Sequence, residues 1–178
     1  MPDETRDPMS ENGRYRAANP LQRFVIRNGA SVAAGRILAP TQRHIDALIF
    51  RISKGRRTLT SMALGWPIVM LTSVGARSSL SRTVPLLGLP DGNRIVVIAS
   101  NYGQAGNPSW YHNLRAHPHA SMTVAGGPSQ QVLAREAEGS ERERLWRLAL
   151  EYYPGWADYE QRVTGRRIPV MVLEPETD

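Results

Sequence analysis

The sequence predicts an α+β fold or a small antiparallel barrel, with about six strands in hairpins and short helices between them and at one end. Three observations carry this. Runs of β-branched and apolar residues recur through the second half of the chain, each bounded by Gly, Pro or Asn. Strands and helices do not alternate as a doubly wound sheet requires. The length, 178 residues, suits one domain with a real core and leaves little room for a second.

The N-terminal segment, residues 1–40, is expected to be flexible or partly helical, and the folded domain to span 41–178. Residues 1–19 hold too few apolar groups to offset the entropy of ordering them. After Pro40, Thr41 fits an N-cap, and Ile45, Leu48, Ile49 and Ile52 fall on one helical face opposite Arg43, Arg51 and Lys54. That N-terminal amphipathic helix fits packing on the domain. Its basic face also fits peripheral contact of residues 41–57 with an anionic membrane. Gly55 ends it, and the period turns to β. TLTSMAL (58–64) and PIVMLTSV (67–74) read as strands. RTVPLLGL (82–89) and RIVVIAS (94–100) flank Pro-Asp-Gly-Asn, a hairpin signal, and Pro85 assigns the first of them to an edge or bulge. Pro108 fits the first position of a short helix capped by Asn107 and stopped before Pro118. HASMTVA and SQQVLAREA form a second hairpin around Gly126-Gly127. Ser140 with Glu143 reads as a capping box before the stripe Leu145, Leu148, Ala149, Tyr152, and IPVMVLEP (168–175) closes as a strand.

The composition excludes several classes. There is no cysteine, hence no disulfide, no thiolate nucleophile and no Cys-ligated metal. No apolar run approaches a membrane span, and the polar N-terminus lacks a secretory h-region, so a cytoplasmic setting is expected. The net charge of +6 is local: residues 1–57 hold 11 Lys/Arg against 5 Asp/Glu, and the remaining residues hold 11 of each. The excess is not interleaved with aromatics on the folded part, which argues against nucleic acid. Between 66 and 118, however, Arg77, Arg82, Arg94 and Arg115 face Asp91 alone, which favours an anionic ligand.

Three stretches can carry chemistry. In GARSSLSRTVP (75–85), Arg77 and Arg82 bracket a hydroxyl-rich turn holding Ser78, Ser79 and Ser81, suited to a phosphate or carboxylate or simply to solvent. It lacks the Gly-Lys-Ser/Thr end of a Walker loop. In ASNYGQAGNPSWYHNLRAHP (99–118), Ser100, Asn101 and Gly103 end a strand, and Trp110 and Asn113 share a helical face. They suit a flat, polar-edged ring, or core packing. In EYYPGWADYE (151–160), Tyr153, Trp156 and Tyr159 recur every three residues as an aromatic row, either core or a lid over a planar substrate with a phenol as proton donor. His112, His117 and His119 cluster, but Pro118 interrupts them and no metal site is expected.

In this order the three stretches resemble the deazaflavin (coenzyme F₄₂₀)-dependent nitroreductase and F₄₂₀H₂-dependent quinone reductase family of actinobacteria. The resemblance runs over roughly 58–175 and rests on Gly75, Arg77-Ser78, Arg82, Pro85, Ala99-Ser100, Gly103, Asn107 to Leu114, Tyr153-Pro154-Gly155-Trp156 and Ile168-Pro169. It implies an antiparallel split β-barrel of the FMN-binding type and coenzyme F₄₂₀, an 8-hydroxy-5-deazaflavin with a poly-glutamate tail. It implies that Arg77, Ser78 and Arg82 meet the phosphate and tail, and that Thr83, Val84, Pro85 and Leu87 lie beside the ring. Ile98, Ala99, Ser100 and Asn101 would form the strand end at the ring, Ser109, Trp110, Tyr111 and Asn113 the closing helix, and Trp156 a further contact. Hydride transfer to a planar electron-poor acceptor (quinone, enone or nitroaromatic) follows, with Ser100, Tyr153 or Tyr159 passing the balancing proton. Exposed sheet faces in such barrels are compatible with a homodimer.

The chain departs from the family pattern in places. Ser79 stands where Gly is usual, Arg77 where Lys is frequent, and Leu80 for a polar residue. Asn101-Tyr102 stands where many members have Lys-Gly, and Trp156 replaces a common tyrosine. Two rivals keep part of this picture: an FMN-dependent split-barrel oxidoreductase, and a non-catalytic carrier of deazaflavin or a fatty acid.

Overall fold

The computed structural model describes residues 68–124, 126–163 and 165–176. The expected helix over 41–57 and strand over 58–64 lie outside the described residues. Among the described residues seven strands form one antiparallel sheet: β1 (Ile68–Val74), β2 (Ser81–Leu87), β3 (Leu89–Asp91), β4 (Arg94–Ile98), β5 (His119–Val124), β6 (Ser129–Glu136) and β7 (Val170–Pro175). Three helices join them: α1 (Ser109–Ala116), α2 (Gly139–Tyr152) and α3 (Gly155–Arg162).

The strand order, β2-β1-β5-β6-β7-β4-β3, dictates the shape. β2 and β3 are the two outer strands among the described residues, yet only Gly88 separates them in sequence. A flat sheet cannot place its opposite edges one residue apart, so the sheet curls into a half-barrel and β2 approaches β4. Gly88 is required at that corner, because a Cβ there would collide with the Val69 and Ile95 side chains. The expected single strand over 82–89 is therefore two strands that split at this bend. Pro85 lies on β2 opposite Met70, on the edge its missing N–H demands.

The curl creates two cores. Inside, Val69, Leu71, Val97, Ala120, Met122, Val132 and Leu173 close around Trp110, Tyr111 and Leu114 of α1. Outside, Val96, Ile98, Val170 and Val172 pack under Leu145, Trp146, Ala149 and Tyr152 of α2 and Trp156 and Tyr159 of α3. Strand residues thus alternate between the two faces, as their two-residue period requires. Each fully buried aliphatic side chain, such as Leu71, Leu114 or Leu145, contributes roughly 1.5–3 kcal/mol.

Two expected caps are replaced. Helix α1 starts at Ser109, one residue later than expected, with Pro108 at the cap position and no side-chain cap bond. The Asn107 side chain turns instead to Arg166. Helix α2 starts at Gly139 after Glu138, so Ser140 lies inside the first turn and the Ser140–Glu143 box does not form. Glu141 in that turn is engaged by Arg94 and Arg135, which draw this end of the helix onto the sheet.

Candidate functional site

The β1–β2 turn is built from its own backbone. Ser79 N–H donates to the Gly75 carbonyl (2.9 Å), and Gly75 N–H to the Leu80 carbonyl (2.9 Å). Ala76 N–H donates to Asn113 Oδ1 (3.0 Å), and Asn113 Nδ2 donates to Ser73 Oγ (3.3 Å). The buried Asn113 amide thereby ties helix α1 to the turn, and both its ends are occupied within the protein. What the turn offers outward is side chains. Arg77, Ser78, Arg82 and Thr83 are exposed, and among the described residues no carboxylate pairs with Arg77 or Arg82. Thr83 Oγ1 shares a hydrogen bond with Thr72 Oγ1 (2.8 Å).

Ser79 has φ of 55°, the left-handed region that glycine favours. A non-glycine residue there costs about 1 kcal/mol. This is the position where the resemblance leads one to expect Gly.

The second stretch is shaped by a loop. β4 ends at Ile98 rather than Ser100, and Ala99 N–H donates to the Pro169 carbonyl (3.0 Å). A 3₁₀ turn over Asn101–Gly103 follows, with Asn101 and Tyr102 both left-handed (φ 47° and 57°). Asn101 Nδ2 holds the Gly106 carbonyl (2.9 Å). The Ser100 Oγ has no hydrogen bond to any described residue. The loop lies against Tyr159 of α3 at Gly103, whose φ of 74° is in the region that favours glycine.

Trp110 and Tyr111 are buried in the inner core, and the Tyr111 phenol donates to Glu136 (2.8 Å) while accepting from Arg115 (3.1 Å). They hold α1 in place, with Val84 and Ala99 in the same cluster. Ser109 opens that helix at the surface.

The aromatic row is a cluster rather than one helical face. Tyr153 precedes α3, and its ring meets Trp156 (5.5 Å) and Tyr159 (6.0 Å) edge-on. The two phenols lie 3.3 Å apart. Burial, and then the neighbouring Tyr159, push the Tyr153 phenol well above its ordinary value. Like any tyrosine it is protonated at neutral pH, and the upward shift makes its phenol a weaker acid. Leu87 and Ile98 belong to the same outer core as this trio. Pro85 is exposed on β2 between them and the arginines. A shallow groove of about 290 Å³ lies elsewhere, between Leu114, Arg135 and Glu138, and no expected site residue lines it.

The half-barrel thus places a cationic turn, a backbone-rich strand end and a phenol cluster along β2, β4 and α3. A model of the F₄₂₀H₂-dependent quinone reductase family matches residues 43–175. The chain belongs to this family. The F₄₂₀H₂-dependent quinone reductase Rv1261c of Mycobacterium tuberculosis is 31% identical over 142 residues, 74% of this chain and 93% of that protein. A second M. tuberculosis protein bearing the family's name, Rv3178, is 37% identical over 61% of this chain and 90% of its own. Among solved structures, an F₄₂₀-H₂-dependent reductase, FDR-A, matches with a TM-score of 0.55 at 41% identity, over 60% of this chain and 93% of that one. A further solved structure, described only as a domain-swapped dimer, matches with the same TM-score at 36% identity, over 76% of this chain and 99% of that one. No described helix is long and apolar enough to cross a membrane.

For this member of the quinone reductase family, the structure adds Arg166, which the sequence pattern did not single out. Its guanidinium donates to Asn107 Oδ1 (2.6 Å), the Ser100 carbonyl (3.2 Å) and the Gln104 carbonyl (2.8 Å). Partial burial lowers its pKa, and its Nε is buried with no acceptor among the described residues. Only its place in GRRIPV, just before the matching Ile168-Pro169, hinted at it.

Proposed function

We propose that this chain is an F₄₂₀H₂-dependent reductase that delivers a hydride and a proton to a quinone. The observation that carries the reading is the pair of exposed arginines, Arg77 and Arg82, left without a carboxylate among the described residues, in a chain of this family. Such a pair fits the acidic end of the coenzyme, a phosphate followed by glutamates, because charge-assisted bonds from guanidinium to phosphate or carboxylate are the strong ones. The turn is held by Asn113 before any ligand arrives, so little order is lost on binding.

From that anchor, Thr83, Val84, Pro85 and Leu87 run along β2 toward the aromatic cluster, and Ile98 to Asn101 meet them from β4. These two strand ends are the walls that would take the flat ring, with Ser109, Trp110 and Tyr111 closing α1 over the inner core. When bound and reduced, F₄₂₀ supplies the hydride. The protein's part is to orient the acceptor and to hold the proton. Tyr153, a neutral phenol hydrogen-bonded to Tyr159, is the proton donor to a quinone oxygen in this reading, and Ser100, with its Oγ unengaged among the described residues, is the second. Trp156 braces Tyr153 edge-on. The apolar surroundings of the phenols suit a planar quinone over a charged acceptor.

The test is to titrate the full chain with oxidised F₄₂₀, FMN and a fatty acid, then to follow reoxidation of F₄₂₀H₂ by a menaquinone analogue. Binding of F₄₂₀ with turnover is expected. Binding of FMN alone, or binding of F₄₂₀ without turnover across quinones, enones and nitroaromatics, would overturn the reading. A homodimer and a peripheral membrane contact through residues 41–57 are separate proposals. Sedimentation, alone and with anionic vesicles, tests both.

A further inference from the structure

We propose that Arg166 is a positioning residue for the ring end of the site: it fixes the 100–107 loop so that the strand end at Ala99–Ser100 and the Tyr159 phenol keep one mutual placement. This rests on the reading above and deepens it. The three acceptors of Arg166 are Ser100, Gln104 and Asn107, the start, middle and end of one loop. On its other side the loop lies on Tyr159, with Gly103 leaving no side chain between them. The segment that carries Arg166 also carries Pro169, whose carbonyl receives Ala99 N–H. One stretch of chain therefore pins both the strand end and the loop beyond it.

The loop also concentrates unfavourable features. Asn101 and Tyr102 are consecutive non-glycine residues in the left-handed region, and the buried Arg166 Nε has no acceptor among the described residues. Strain of this kind persists only where the surroundings over-determine it, and it gathers at sites that need a fixed backbone. Among the described residues Arg166 has no carboxylate partner, so its hydrogen bonds go to the loop alone.

The experiment measures binding of oxidised F₄₂₀ and the visible absorption band of the bound coenzyme, which reports the surroundings of the ring. Arg166→Ala should raise the Kd by roughly tenfold, the loss of one or more charged hydrogen bonds, and should alter the band. Millimolar methylguanidinium should restore much of the affinity. Arg82→Ala, at the acidic end, should raise the Kd with the band unchanged. Asn107→Ala removes one acceptor and should shift both readouts in the same direction by a smaller factor. It carries the test if Arg166→Ala does not fold. Wild-type Kd and band in Arg166→Ala, or in Asn107→Ala where only that variant folds, overturn the inference alone. Failure of the wild-type chain to bind F₄₂₀ overturns the functional reading, and the inference with it.

Discussion

Two groups of arginines at different places in the fold are treated in opposite ways. Arg94, Arg135 and Arg144 interlock with Asp91, Glu141 and Glu174 where the β3–β4 hairpin, β6, β7 and the start of α2 meet. Arg144 grips Asp91 with two bonds (2.7 and 2.9 Å), and Arg135 grips Glu141 with two (2.6 and 2.9 Å). Arg94 bridges Asp91, Glu141 and Glu174. Three cations there meet three anions. At the β1–β2 turn Arg77 and Arg82 meet none among the described residues. Identical chemistry is thus left in two states: where the carboxylates are supplied in the chain it fastens helix to sheet, and where none is supplied among the described residues the guanidiniums stay exposed, which is the basis for proposing that they take an anion from outside.

Exchanging the consequences of the two groups would break this contrast. The largest effect is expected from Arg82→Ala, which should weaken F₄₂₀ by about 1–3 kcal/mol while leaving the melting temperature nearly unchanged. Calorimetric titration beside thermal melting separates the two. Arg135→Ala should do the reverse, with F₄₂₀ affinity kept and stability lowered by about 1 kcal/mol, the scale of a partly exposed networked pair. Denaturant unfolding reads it.

Acid sharpens the contrast further. The Arg144 hydrogen bonds hold the Asp91 carboxyl at about 2, and Arg135 holds the Glu141 carboxyl at about 2. Both folded values lie below those of the unfolded chain, 3.8 and 4.5, so their contribution is complete above that range and is lost as the pH falls toward 2. The melting temperature should therefore drop between pH 4.5 and 2, and less steeply in Glu141→Gln than in the wild type. The smallest effect is expected from Ser79→Gly. Relieving a left-handed serine should raise stability by about 0.5 kcal/mol, set against the greater freedom of an unfolded glycine, with F₄₂₀ affinity retained.

What the sequence disclosed followed from local chemistry. The Pro90–Asn93 turn, with Gly92 at φ of 65°, appears as the β3–β4 hairpin, and Pro85 falls on an edge strand. The ordered motifs also pointed to the family to which the chain belongs. What stayed hidden depends on partners distant in sequence. Arg166 reaches residues 59 to 66 positions away, and Arg94 reaches Glu174 across 80. The bend at Gly88 is legible only once β2 and β3 are known to be opposite edges. The local caps misled because tertiary partners, Arg166 for Asn107 and Arg135 for Glu141, took over those helix starts.

The central claim is met most directly by calorimetric titration of oxidised F₄₂₀ into the wild type and the double variant Arg77→Ala/Arg82→Ala, at low and at moderate salt. Tight binding by the wild type that weakens with salt, and binding by the double variant that is at least tenfold weaker and loses most of that salt dependence, is the predicted result. Equal affinities with equal salt dependence would contradict it.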